Sequence, residues 1–253
     1  MKKKTLMIIS VLAVMVLAVG GILAYLTDTA GVTNTFTVGN VDITVDEAKV
    51  NKEGKPLGEN DQVVDKVEDA VRVSDTTNPD GTIKPANKYH IVPGLTYVKD
   101  PTMTVAKKSE ESYVRMMVTI SHAEEFDAIF APEKAKLIEI FNGYDGKTWI
   151  YAGETRDEAA NTITYEFRYF DKVNNKETVK PAEDADLVLD ALFDSITVPG
   201  FITKEQLATV GGFNIVVEGH AIQAAGFEDT NENGVAVKAI DNAWKAFDAE
   251  YTD

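Results

Sequence analysis

Three histidines, His90, His122 and His220, are the imidazoles this chain offers to a metal ion or a proton transfer. They are scattered along the sequence, and only folding could bring them together. No His-Glu-x-x-His motif occurs, so no pair of imidazoles sits one helical turn apart beside a general base. His122 is followed by Ala123-Glu124-Glu125 and lacks the second histidine. His220 falls in a strand-like run, where a satisfied structural role competes with that of a ligand. The chain has no cysteine, which excludes thiolate catalysis and disulfides alike. Ser195 stands in no Gly-x-Ser-x-Gly turn. With 41 Asp and Glu, carboxylate pairs are too common to single out an acid–base couple.

One short stretch carries ligand spacing. Asp229-Thr230-Asn231-Glu232-Asn233-Gly234 places oxygen donors at alternate positions and a glycine at the turn, as the first half of a calcium loop does. Ile240 occupies the place where a bidentate Glu belongs, and Asp241 follows it. The candidate calcium ligands are therefore Asp229, Asn231, Asn233 and Asp241. The competing reading is a polar Asn-Gly turn. No other cofactor is expected.

The elements that would position these groups are mostly strands. Val41, Ile43 and Val45 alternate with polar residues. Val114, Met116, Val118 and Ile120 alternate with Arg115, Met117 and Thr119, Ile163, Tyr165, Phe167 and Tyr169 with Thr164, Glu166 and Arg168, and Phe213, Ile215 and Val217 with Asn214 and Val216. A period of two puts one set on a buried face, and β-branched and aromatic residues suit a pleated surface. Asn78-Pro79-Asp80-Gly81, Pro93-Gly94, Asp145-Gly146 and Pro199-Gly200 mark turns. Short strands separated by such turns predict an antiparallel sandwich. Helical spacing interrupts them: Phe126, Ile129 and Phe130 behind a Ser121 cap, a segment from Pro132 with Leu137, Ile138 and Phe141, a short helix from Thr203, and Ile240, Trp244 and Phe247 on one face of 239–251. Residues 51–88 read as an elaborated loop.

The amino terminus reads as an export signal. Lys2-Lys3-Lys4 precede a stretch, Thr5 to Thr27, without a charged residue. Ala24 offers the small residue a signal peptidase requires, so cleavage is expected between Ala24 and Tyr25. The run is also long enough to span a bilayer as an uncleaved anchor, which needs about 20 residues. Either way the rest of the chain lies outside the cytoplasm. The whole chain carries a net charge of −16, and its three amino-terminal lysines make the remainder more acidic still. Such a surface disfavours nucleic acid and anionic lipid.

Tyr25-Leu26-Thr27-Asp28 and the run Asn34-Thr35-Phe36-Thr37-Val38-Gly39-Asn40-Val41-Asp42-Ile43 resemble the mature start of the TasA/camelysin family. Ile91-Val92-Pro93-Gly94-Leu95, leading through Pro101 to Ser112-Tyr113-Val114-Arg115-Met116, is similar to that family's Pro-Gly turn and following core strand. The stretch Phe213 to Gln223 is similar to its last sheet strand. The resemblance implies a SipW-dependent type of signal peptide, cut by a dedicated signal peptidase. It also implies a mainly β, jelly-roll-like sandwich with short helical insertions behind an amino-terminal signal helix. The expected organisation is a signal peptide over 1–24, an extended amino-terminal segment over 25–39, and a single sandwich domain over 40–253.

The functional expectation follows from both readings. It is a secreted structural subunit of a biofilm-type extracellular matrix in a Gram-positive setting, or at the cell surface. Its partners would be copies of itself and other matrix proteins, with no membrane after cleavage. Residues 25–39 are charged only at Asp28, have high β-propensity, and contain Gly31 and Gly39 as hinges. Thr35, Phe36, Thr37 and Val38 are the expected donor residues for an exposed sheet edge. Pairing of residues 32–38 within their own domain is the alternative. The other function classes are an exported camelysin-type metalloendopeptidase and a monomeric adhesin.

Overall fold

The computed structural model describes residues 27–30, 41–77, 83–211, 214–232 and 234–251. The expected signal helix lies outside them. Among the described residues no helix is long and apolar enough to cross a membrane. The fold is mainly β, and all strand pairings among named strands are antiparallel.

The largest sheet runs in the order β1 (Thr27–Ala30), β14 (Ile215–Gln223), β8 (Ser112–Ser121), β11 (Thr162–Tyr169) and β10 (Trp149–Asp157). A four-stranded sheet orders β12 (Leu187–Val188), β7 (Thr102–Val105), β2 (Ile43–Ala48) and β3 (Arg72–Val73). A three-stranded sheet orders β6 (Thr96–Val98), β13 (Ser195–Thr197) and β9 (Phe141–Asn142). Two hairpins, β4 (Thr76–Thr77) with β5 (Ile83–Lys84) and β15 (Thr230–Glu232) with β16 (Val235–Val237), complete the strands.

The alternation read from the sequence becomes two faces. Val114, Met116, Val118 and Ile120 of β8 and Ile163, Tyr165 and Phe167 of β11 are buried in one cluster. Ile43 of β2 and Met103 and Val105 of β7 belong to the same cluster. Tyr113 and Arg115 break the alternation, since both are buried on the opposite face. They belong under a second layer, because helix α3 (Ala239–Tyr251) brings Ile240, Trp244 and Phe247 into a cluster with Tyr113 and Ile222.

Of the shorter helical signals, those at Phe126 and Thr203 form helices, whereas the segment from Pro132 forms two 3-10 turns, Ala131–Glu133 and Leu137–Ile140, and Phe141 enters β9. In α2 (Lys204–Thr209), Thr203 Oγ1 accepts from Gln206 N at 3.2 Å and Gln206 Oε1 accepts from Thr203 N at 2.8 Å, a reciprocal cap. In α1 (Ala123–Phe130), Phe126, Ile129 and Phe130 are buried as expected. Its cap is not Ser121. His122, at φ +62°, begins the helix, and Asn161 Oδ1 from the β10–β11 turn accepts Glu124 N at 3.0 Å. Ser121 Oγ instead accepts from Asn214 N at 3.0 Å, tying β8 to the approach of β14.

Candidate functional site: the β14 edge

Strand β14 is where an intermolecular contact could be built. On one side it pairs with β8 along its full length, from Ile215 opposite Ile120 to Gln223 opposite Ser112. On its other side β1 covers only part of it: Thr27 opposite Ile222, Asp28 opposite Ala221, Thr29 opposite His220 and Ala30 opposite Gly219. Among the described residues, Ile215 to Glu218 have no strand partner on that side. Unpaired N–H and C=O groups along an edge are a template for an incoming strand. The element on this edge comes from the extended amino-terminal segment of the sequence reading, at its start rather than at Thr35–Val38. Those four residues lie outside the described residues, as do Ala24 and Tyr25.

The platform beneath β1 is stiff. Arg115, 2% exposed, lies 4.3 Å from the Trp244 ring centroid and 5.1 Å from that of Phe247. Stacked guanidinium and ring faces attract. Arg115 also pairs with Asp248 and, at 3.4 Å, with Glu166. Its Nε–H donates to His220 Nδ1 at 3.1 Å. Burial, then the positive charge of Arg115, pushes the His220 imidazole down to about 3. His220 therefore stays neutral, as an acceptor, with Phe247 stacked on it at 4.8 Å. Arg168 extends the cluster, reaching Glu166 at 2.7 Å and Asp241 at 2.5 Å.

The opposite edge of the sheet is guarded. On β10, Ile150, Tyr151, Ala152, Glu154, Thr155, Arg156 and Asp157 are exposed. A register shift between Tyr151 and Gly153 bends the strand. Gly153 takes φ +149°, which L side chains rarely adopt. The Tyr144 hydroxyl accepts Tyr151 N at 3.0 Å, removing one donor from the edge. Arg156 forms a two-point pair with Asp127 at 2.7 and 3.1 Å. Bulges and charges are the usual means of keeping a foreign strand off.

Residues 1–64 match the family model described as camelysin metallo-endopeptidase. The resemblance to the TasA/camelysin family holds over that stretch. The matched residues include β1 and β2, so the strand on the β14 edge belongs to the part of the chain that is camelysin-like. No curated protein and no solved structure matches the chain.

The camelysin description carries a metallopeptidase name. Among the described residues no group of three or more His, Asp or Glu is placed to hold a metal ion. His220 Nδ1 is occupied by Arg115, and His122 Nδ1 meets Ser121 Oγ at 3.1 Å. The calcium-like stretch is engaged elsewhere too. Asp229 Oδ1 accepts Ala239 N at 2.8 Å and so caps α3. Asn231 Oδ1 accepts Gly234 N at 2.9 Å within the hairpin turn, and Asp241 pairs with Arg168. Asn233 lies outside the described residues. Sequence reading missed Arg115 and Asp248, because their partnership joins a strand to a helix 133 positions later. Its signal was a charged residue in the middle of an apolar strand.

Proposed function

We propose that this chain is an exported structural subunit of an extracellular fibre, whose amino-terminal strand leaves its own β14 edge and pairs with that of a neighbouring copy. The observation that carries this reading is β1. It is a four-residue strand from a nearly uncharged segment, lying on a rigidly backed edge that has no other strand partner among the described residues. Strand addition of this kind draws affinity from main-chain hydrogen bonds and register from alternate side chains. The camelysin-type match over the same residues and the signal-like amino terminus support export and assembly. We read the antiparallel layers as a jelly-roll sandwich, the form the family resemblance implies.

A truncated chain and a peptide test the reading. A chain beginning at Asn40 is expected to stay folded and monomeric by light scattering, and to bind an added Tyr25–Gly39 peptide. A truncated chain that unfolds, together with a mature chain that never forms filaments in electron micrographs, overturns donation and makes the segment part of its own core. The description of the matching family favours a second reading, metalloendopeptidase. Casein cleavage that chelator abolishes would support it.

A further inference from the structure

Three buried polar side chains from separate segments meet beside β2. Glu47 lies on β2, Asn87 in the segment after β5, and Lys99 directly after β6; they are 6, 5 and 4% exposed. Lys99 Nζ donates to Glu47 Oε2 at 2.7 Å. Asn87 Nδ2 donates to Glu47 Oε1 at 2.8 Å and to Ala48 O at 2.9 Å. Asn87 Oδ1 accepts the backbone N–H of Val50 at 2.9 Å. One carboxyl group thus holds an amine with one oxygen and a carboxamide with the other. As an ion pair alone this is an expensive arrangement, because burying two charges costs more than their attraction often returns.

We propose that Lys99 and Asn87 become joined by an intramolecular isopeptide bond, with Glu47 as the catalytic proton carrier. Glu47 Oε2 takes a proton from Lys99 Nζ, which removes both buried charges at once and frees the amine lone pair. The amine attacks Asn87 Cγ, and the new C–N bond drives electrons onto Oδ1. The Val50 N–H already points at that oxygen and stabilises the developing oxyanion. Protonated Glu47 then gives its proton to Nδ2 as the Cγ–Nδ2 bond breaks, and the carboxylate so formed takes the surplus proton from the attacking nitrogen, so that Glu47 ends neutral. The products are a secondary amide and one ammonia, with no oxidant and no cofactor consumed. Hydrogen bonds in the 2.7–2.9 Å range are what general acid–base transfer requires, and fixed neighbours supply the effective concentration.

The surroundings fit the reaction. Tyr89 packs edge-on against the fully buried Tyr97, with ring centroids 5.7 Å apart, and its hydroxyl donates to Val98 O at 3.0 Å. A cavity of about 240 Å³ touches Glu47, Asn87, Lys99 and Tyr89, and gives ammonia a way out. The bond would close the segment between residues 87 and 99, including the Pro93-Gly94 turn. In a chain without cysteine it would serve where a disulfide otherwise would.

Intact mass spectrometry of the denatured full chain decides the matter. The expected mass is lower than the sequence mass by one ammonia. Trypsin is expected to leave a branched peptide uncut after Lys99. Lys99→Met and Glu47→Gln are expected to restore the full mass, and Asn87→Asp to lose one water instead. Circular dichroism identifies which variants are folded, and the wild-type mass stands whether or not they are. A wild-type chain at full mass overturns the proposal. So does an ammonia loss that persists in Lys99→Met, since a succinimide at Asn142-Gly143 or Asn233-Gly234 would then account for it.

Discussion

The two edges of the five-stranded sheet face opposite problems. At β10 the backbone is bent by a bulge, one N–H is taken by the Tyr144 hydroxyl, and Glu154, Arg156 and Asp157 line the rim. At β14 the strand is regular, and α3 packs over the Gly219–Gln223 end through Ile222 and His220. One edge is closed by its own chemistry. The other is covered, among the described residues, by four residues of the amino-terminal segment. An edge kept straight and rigid is suited to exchange, whereas a bent and charged edge is suited to remain single.

The largest expected effect separates these edges directly. Replacing Asp28 and Thr29 by proline removes two N–H groups from β1 and is expected to abolish filaments in electron micrographs. Replacing Glu154 and Arg156 by threonine on β10 is expected to leave filament formation intact. Filaments lost in the second variant and kept in the first would reverse the assignment of the edges.

The next effect lies in the backing. Trp244→Ala empties the layer behind β14 and is expected to destabilise the fold by about 3–5 kcal/mol in urea unfolding. Ile150→Ala, on exposed β10, is expected to change stability by about 0.5 kcal/mol or less. Equal losses would mean that the two edges are equally supported.

The smallest effect is a slope with pH. His220 is held from the ordinary 6.5 down to about 3, by burial first and then by Arg115. A neutral imidazole in the fold means that the unfolded chain binds the extra proton. The stability His220 contributes is therefore complete above about pH 6.5 and lost as pH falls from there toward 3. His220→Gln is expected to flatten that part of the stability profile in thermal melts between pH 7 and 4. An unchanged slope would show that the β14 face is hydrated rather than sealed by α3.

Much of the scaffold was legible in the sequence. The alternation in 114–120 and 163–167 named the buried face correctly, because period-two patterning is a local property. The Thr203 cap and the Ile240, Trp244 and Phe247 stripe were legible for the same reason. What escaped depends on distant partners. Alternation left the face of Arg115 open to solvent or to a second layer, and α3 supplies that layer. The capping of α3 by Asp229 escaped too, since the helix begins ten residues later. Ser121 looked like a cap, and Asn161 takes that task from another hairpin. Glu47, Asn87 and Lys99 carry no spacing that sequence could flag, since three separate segments deliver them to one point.

The antiparallel direction of β1 along β14 has a consequence for growth. A strand lent forward by each copy to the next is a head-to-tail contact, and such contacts need not close into a ring. A fibre built this way is directional. The copy at one end holds an edge that no neighbour has filled, while the copy at the other end still has a strand to give. The two tips are chemically different, so elongation, seeding and capping can each be confined to one of them. A soluble peptide with the sequence Tyr25–Gly39 would stop one tip and leave the other growing.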